Sequence, residues 1–391
     1  MKFAQLSIVF TMLFSSCQSS YEPGTFGYDL QFLGENKELT VLKSSDGQQQ
    51  LIIIPDYQGR VMTSTSSGLE GNSYGWLNYP HIASGEIVEH INVFGGEDRF
   101  WLGPEGGQYS IFFEKDSEFN LNTWQTPPAI DSEPFKQVSA DESEVTFKRN
   151  IELTNYSGFQ FNIDVTRSIS LLTECDIEQS LGIAINPGLS YVAFQSENTV
   201  QNVGNQWSSE SGLLSIWILG MFTPSPAATV AIPYRDSLEL NSTYFGEIPA
   251  DRLQVKGNTV LFKADGKYRG KIGLPSQNAT PFAGSYDASR NVLTIVEYTF
   301  SGDTTYVNSM WELQDEPYKG DVINSYNDGP QKEGTQLGPF YELETSSSTR
   351  ELANRESITH IHKTYHFEGD LQQVDAIAKK VLGLELSEIG I

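Results

Sequence analysis

Short apolar runs that alternate every second residue, broken by turn residues at close intervals, constrain this chain more than any other feature. Leu39-Thr40-Val41-Leu42 and Leu51-Ile52-Ile53-Ile54 open the series, and 59–63 begins a third strand. The pattern returns at 145–153, 160–171, 176–185, 213–221, 229–232, 259–263, 292–300, 305–313, 341–345 and 358–367. Asn155-Tyr156-Ser157-Gly158, Asn186-Pro187-Gly188 and Ser301-Gly302-Asp303 supply turns between them. Many strands and few long helical stretches predict an all-β sandwich larger than an immunoglobulin-like unit. The one strong helix expected lies at 370–383. Asp370 caps it, Leu371, Val374, Ile377, Ala378, Val381 and Leu382 form one apolar stripe, and Gly383 ends it.

The chain has 25 basic and 50 acidic residues, a formal net charge of −25. That balance argues against a nucleic-acid partner and against a basic patch for anionic lipid. Lys2 followed by a short apolar run reads as an export signal, too short to span a bilayer as a helix. Phe14-Ser15-Ser16 before Cys17 resembles the lipobox of bacterial lipoproteins, although Phe14 stands where leucine is usual. The expected layout is therefore a signal over 1–16, acylation at Cys17, a tether over 17–27 and one domain over 28–391. The expected location is the bacterial cell envelope, at the outer membrane or facing the periplasm, held by the lipid alone. Acylated Cys17 leaves only Cys175, so no internal disulfide is expected.

The stretch 95–107 packs Glu97, Asp98, Arg99, Phe100, Trp101 and Glu105 between two glycine pairs, and 108–113 alternates as a strand would. Rings beside a guanidinium and carboxylates suit sugars. An aromatic face covers the C–H face of a pyranose, while Arg and Glu bond its hydroxyls. The plainer alternative is a glycine-rich turn with its rings in the core and its charges in solvent.

Three segments carry a family resemblance: Pro55-Asp56-Tyr57-Gln58-Gly59-Arg60-Val61-Met62, the 95–105 stretch, and Gly338-Pro339-Phe340-Tyr341-Glu342-Leu343-Glu344. In order and spacing they resemble the galactose mutarotase-like (aldose 1-epimerase-like) superfamily, in its uncharacterised bacterial lipoprotein branches. The resemblance implies a two-sheet supersandwich with a sugar cleft across one sheet. It also implies a late-strand glutamate as catalytic base, which maps onto Glu342, with Glu344 as the alternative. Alternation places Phe340, Glu342 and Glu344 on one strand face. Two carboxylates sharing a face raise each other's proton affinity.

Members of the family use a mid-chain histidine as acid and another nearer the N-terminus. Here His81 and His90 lie early and residues 91–359 contain none, so the central acid is lacking, and His90 is either the early histidine or a loop residue. The middle offers Gln195, Asn198 and Trp207, which hold sugars but do not carry protons at neutral pH. His360 and His362 have a metal-ligand spacing, but His366 is four residues on, roughly 13 Å away at ~3.3 Å per residue. No metal and no cofactor are expected.

The reading is an exported lipoprotein that recognises carbohydrate in an acidic, aromatic cleft, with Arg99, Trp101, Glu105, Trp207, Glu344 and His362 contacting the sugar. Aldose 1-epimerase chemistry with Glu342 and His90 is the alternative, and a structural envelope protein with an inactive cleft is a third.

Overall fold

Alternating strands bury one face each, and here the largest sheet is covered on part of both faces. The computed structural model describes residues 21–331 and 334–391, so the expected signal and Cys17 lie outside the described residues. All three sheets are antiparallel. The largest has ten strands, in the spatial order Leu253–Lys256, Thr259–Lys263, Ala228–Pro233, Phe282–Asp287, Val292–Tyr298, Ser357–Gly369, Leu189–Asn202, Gln160–Leu171, Glu144–Thr154 and Lys136–Ala140. Facing it is a five-stranded sheet: Gly270–Pro275, Asp321–Asn327, Tyr341–Ser346, Ser215–Phe222 and Arg99–Gly103. A three-stranded sheet of Thr40–Lys43, Gln50–Ile54 and Arg60–Thr65 closes one end.

The inner faces interlock. Ile272, Leu274, Ile323 and Leu343 of the smaller sheet pack on Val230, Ile232, Val260 and Val296 of the larger. Phe100, Leu102, Ile216 and Ile218 meet Val145, Phe147, Val165 and Val200 in the same way. The helix Leu371–Leu382 sets Val374, Ile377, Ala378, Val381 and Leu382 against the outer face of the ten-stranded sheet, on Leu293, Ile295 and Phe367. Burying five such side chains stabilises the fold by about 1.5–3 kcal/mol for each large one.

Four expectations change. Residues Phe26–Asn36 form a helix capped by Thr25, with Phe26 and Leu33 buried against Ile52, Ile54 and Met62, so the tether expected to run to 27 ends before it. The expected strand at 176–185 is instead the helix Glu174–Leu181, closed by a capping box of Thr173 and Asp176. Within 95–113 the strand is Arg99–Gly103, whereas 108–113 is irregular. The expected strand at 305–313 is reduced to an isolated bridge between Tyr306 and Lys319.

The space between the sheets holds a polar seam. Arg167 donates to Asp98 Oδ1 at 2.6 Å, to Asn198 Oδ1 at 2.6 Å and to the Gly59 carbonyl at 3.1 Å. Ser196 donates to the other Asp98 oxygen at 2.8 Å, so this fully buried charge pair is saturated. Glu97 takes Ser64 on both oxygens and His366 Nε2 at 2.8 Å. Thr345 Oγ1 sits 2.9 Å from His360 Nε2 and 2.8 Å from His362 Nδ1.

Burial drives the His360 ring down to about 3 and the His362 ring down to about 4. His362 adds its own repulsion at His360. At His362, Asp98 opposes the shift and Arg167 reinforces it. Both rings are neutral at pH 7. In the unfolded chain each binds a proton below about 6.5, so each withdraws stability as pH falls from that value toward its folded one. Ring resonances of His360 and His362 followed by heteronuclear NMR are expected to stay flat between pH 5.5 and 8. A titration midpoint near 6.5 for either ring contradicts this placement.

Candidate functional site

The outward face of the five-stranded sheet carries the chemistry, because register places its side chains in rows. Glu342 pairs across with Met221 on one side and Tyr326 on the other, and Tyr326 pairs with Lys271. One step along, Glu344 pairs with Leu219, which pairs with Arg99. Trp217 then pairs with Trp101. Residues 243 positions apart thus meet, and Arg99 Nη2 lies 2.9 Å from Glu342 Oε1.

These residues floor a pocket of about 240 Å³. Its walls come from loops that carry His90, Glu105, Trp124, Phe245, Arg269, Trp311 and Phe340. That volume falls just below the usual range for small-molecule sites and suits a ligand of monosaccharide size. Four of the chain's six tryptophans, Trp101, Trp124, Trp217 and Trp311, line it.

Gly95 and Gly96 explain how the chain enters this floor. Their φ angles are 94° and 110°, and a Cβ on Gly95 would lie 2.0 Å from the Trp76 carbonyl oxygen. Only glycine fits such an approach. The bend delivers Arg99 and Trp101 outward, while Phe100 turns into the core.

Two ion pairs lie in the floor, Arg99–Glu342 and Lys271–Glu344, both at 2.9 Å. Glu344 also accepts from Trp217 Nε1 at 3.0 Å, and Lys271 lies over the Trp217 ring at 4.9 Å. Arg99 stacks on Trp101, with Cζ 4.2 Å from the ring centre. Desolvation costs several kcal/mol per buried ion, so such pairs add little net stability over apolar packing. Two of them beneath one pocket mark it as a candidate site. Arg99 Nε and Nη1, Trp101 Nε1 and Trp124 Nε1 are buried donors without a hydrogen-bond partner among the described residues.

Burial raises the proton affinity of Glu342. Arg99 pulls it back, and Glu344 pushes it further up. Burial likewise lifts Glu105 to about 7, against the pull of Lys271 and a hydrogen bond to Trp311 and with a push from Glu344. The pocket therefore holds two carboxyl groups that keep a proton more readily than usual.

Of the expected site residues, His90, Arg99, Trp101, Glu105 and Glu342 line this one pocket. Glu344 lies beneath it, fully buried and bound to Lys271 and Trp217. His90 holds its ring against the Trp124 carbonyl oxygen, 2.6 Å from Nδ1. Two expectations are corrected. Trp207 is fully buried against Phe161 in the core between the sheets. His362 is buried on Thr345, on the opposite face of the Tyr341–Ser346 strand from Glu342. Neither can reach a ligand in the pocket. The acidic cleft is also corrected, since Arg99, Arg269 and Lys271 stand in the lining against Glu105 and Glu342. Sequence reasoning missed Arg269 and Lys271. Lys271 sits on Gly270–Pro275, a strand whose alternation is diluted by glycine, and Arg269 is in the loop just before it.

The antiparallel sheets and the C-terminal helix define the class: the fold is galactose mutarotase-like. The Slr1438 protein from Synechocystis sp. PCC 6803 superposes with a TM-score of 0.51 at 13% identity, over 84% of this chain and 96% of that one. A candidate aldose 1-epimerase from Escherichia coli K12 gives 0.50 at 13% identity, over 84% and 99%. A galactose mutarotase-like protein from Lactobacillus casei gives 0.49 at 11% identity, over 85% and 100%. The chain belongs to the Family of unknown function (DUF6786), whose model matches residues 24–391. Among curated proteins, none matches the chain.

Proposed function

We propose that this protein binds carbohydrate, one sugar ring seated in the pocket over the floor that Trp101, Trp217 and the Arg99–Glu342 pair make. The observation that carries this reading is the convergence of four tryptophans and unpartnered Arg and Trp donors on one sheet face. Apolar indole surface in the lining meets sugar C–H groups, and the polar side chains of the lining take hydroxyls. The fold is one on which mutarotase-like proteins act on sugars. We further propose that the protein is lipid-anchored through Cys17 at the bacterial envelope and serves glycan use. Cys17→Ala is expected to release it from membranes into the soluble fraction, and an unchanged distribution contradicts the anchor.

A second reading, anomer interconversion, is favoured by the presence of Glu105 in the same pocket as Glu342. Glu342, held by Arg99, takes the proton from the anomeric hydroxyl. Protonated Glu105 gives one to the ring oxygen, and the bond from that oxygen to the anomeric carbon breaks. The aldehyde rotates and the steps reverse. Glu105 would thus stand where the expected mid-chain histidine is lacking.

Saturation-transfer NMR on freshly dissolved α-galactose and α-glucose, with galacturonate alongside, tests both readings. Pocket binding is the expected result, and anomer exchange faster than buffer adds the catalytic one. Absence of binding by neutral and acidic sugars alike leaves a structural role.

A further inference from the structure

The ion pairs in the pocket leave one cation over. Arg99 is neutralised by Glu342 and Lys271 by Glu344. Arg269 lies in no ion pair among the described residues. It is nonetheless held in place. Its Cζ lies 4.0 Å from the centre of the Phe245 ring, and its Nε donates to the Tyr326 hydroxyl at 3.3 Å. Tyr326 is itself fixed, donating to Asp328 at 2.6 Å and meeting the Phe245 ring edge-on at 5.7 Å. These contacts occupy the face and one edge of the guanidinium. The two terminal nitrogens make no hydrogen bond to the described residues.

We propose that the pocket selects a saccharide carrying one carboxylate, a hexuronic acid or a glycan end of that class, with the carboxylate paired to the terminal nitrogens of Arg269. The inference rests on the carbohydrate reading above and names its ligand more narrowly.

Three arguments support it. A planar guanidinium with two parallel donors free matches the two oxygens of a carboxylate. Stacking on Phe245 pays in advance the side-chain entropy that such a contact costs. Lastly, charge favours an anion. Arg269 brings a positive charge that no ion pair among the described residues cancels, and Glu105 stands within electrostatic reach of it. Burial favours the protonated form of Glu105, so this acid need not cancel the arginine. This cationic spot belongs to a chain of net charge −25, which otherwise repels acids.

Calorimetric titration of the full soluble domain with galacturonate, glucuronate, galactose, glucose and galactose 6-phosphate tests this at low salt. The uronates are expected to bind at least about tenfold tighter than the neutral hexoses, the usual worth of a charge-assisted pair. Arg269→Gln is expected to erase that preference, bringing uronate and hexose affinities within about threefold of each other. Arg269→Lys keeps the charge without the fork and is expected to fall between. Equal binding of uronate and hexose, or a preference that survives Arg269→Gln, overturns the inference and leaves the carbohydrate reading standing. Tighter binding of the phosphate than of the uronates overturns the carboxylate assignment. No binding by any of the five removes both.

Discussion

Arg167→Met is expected to lower the unfolding free energy by about 3–5 kcal/mol, more than half the stability of a marginal domain. Arg167 and Asp98 are fully buried between the sheets, and removing the cation leaves Asp98 with only Ser196 on its side chain. The Asn198 side-chain oxygen and the Gly59 carbonyl lose their donor as well. The cost is the desolvation of an orphaned carboxylate, not the strength of the pair. The double variant Arg167→Met with Asp98→Leu is accordingly expected to recover part of the loss. Urea unfolding of the three proteins measures this. A single variant within about 1 kcal/mol of the parent contradicts the seam as described. Asp98 and Arg99 are neighbours that point to opposite faces of the sheet, so the seam also anchors the strand that delivers Arg99 to the pocket.

Under the catalytic reading, Glu342→Gln is expected to slow anomer exchange by about 10²–10⁴-fold, the range of a removed general base. The amide keeps the shape and can still accept from Arg99, so sugar affinity is expected to stay within about tenfold. The split between rate and binding separates a base from a mere contact residue. Because burial and Glu344 raise the proton affinity of Glu342 while the acid Glu105 loses its proton near about 7, the parent rate is expected to pass through a maximum in the neutral range. Exchange spectroscopy between pH 6 and 9 reads both. An unchanged rate in Glu342→Gln removes Glu342 from the chemistry, and the pocket is then a binding site only.

The sequence showed the late strand clearly. Alternation in 340–345 put Glu342 and Glu344 on one face, and the opposite residues, Tyr341, Leu343 and Thr345, do point between the sheets. The glycine pair at 95–96 announced a bend, and the bend is there. Alternation does not tell which face is inside, and the histidines show why. His360, His362 and His366 share a face as expected, yet that face is the interior, where threonines satisfy one nitrogen of each ring. Trp207 failed for the related reason that a tryptophan suits a core as well as a sugar platform. The helix Phe26–Asn36 was legible after all, with Phe26, Leu30 and Leu33 at helical spacing behind a threonine cap. Glu174–Leu181 carried a Thr-x-x-Asp capping signal that a run of strands obscured. Arg269 and Lys271 could not be found by pattern. Nothing local marks a lysine on a glycine-bearing strand as buried, since its partner Glu344 is 73 residues away.

The central claim is that four tryptophans surround a sugar, and their own fluorescence tests it most directly. Titrating galacturonate and galactose into the protein is expected to give a saturable change in tryptophan emission. Trp101→Phe and Trp217→Phe should each weaken it, and Trp207→Phe, a core substitution remote from the pocket, should leave the midpoint unchanged. Emission that stays constant to high sugar concentration, or that responds equally in all three variants, contradicts the account.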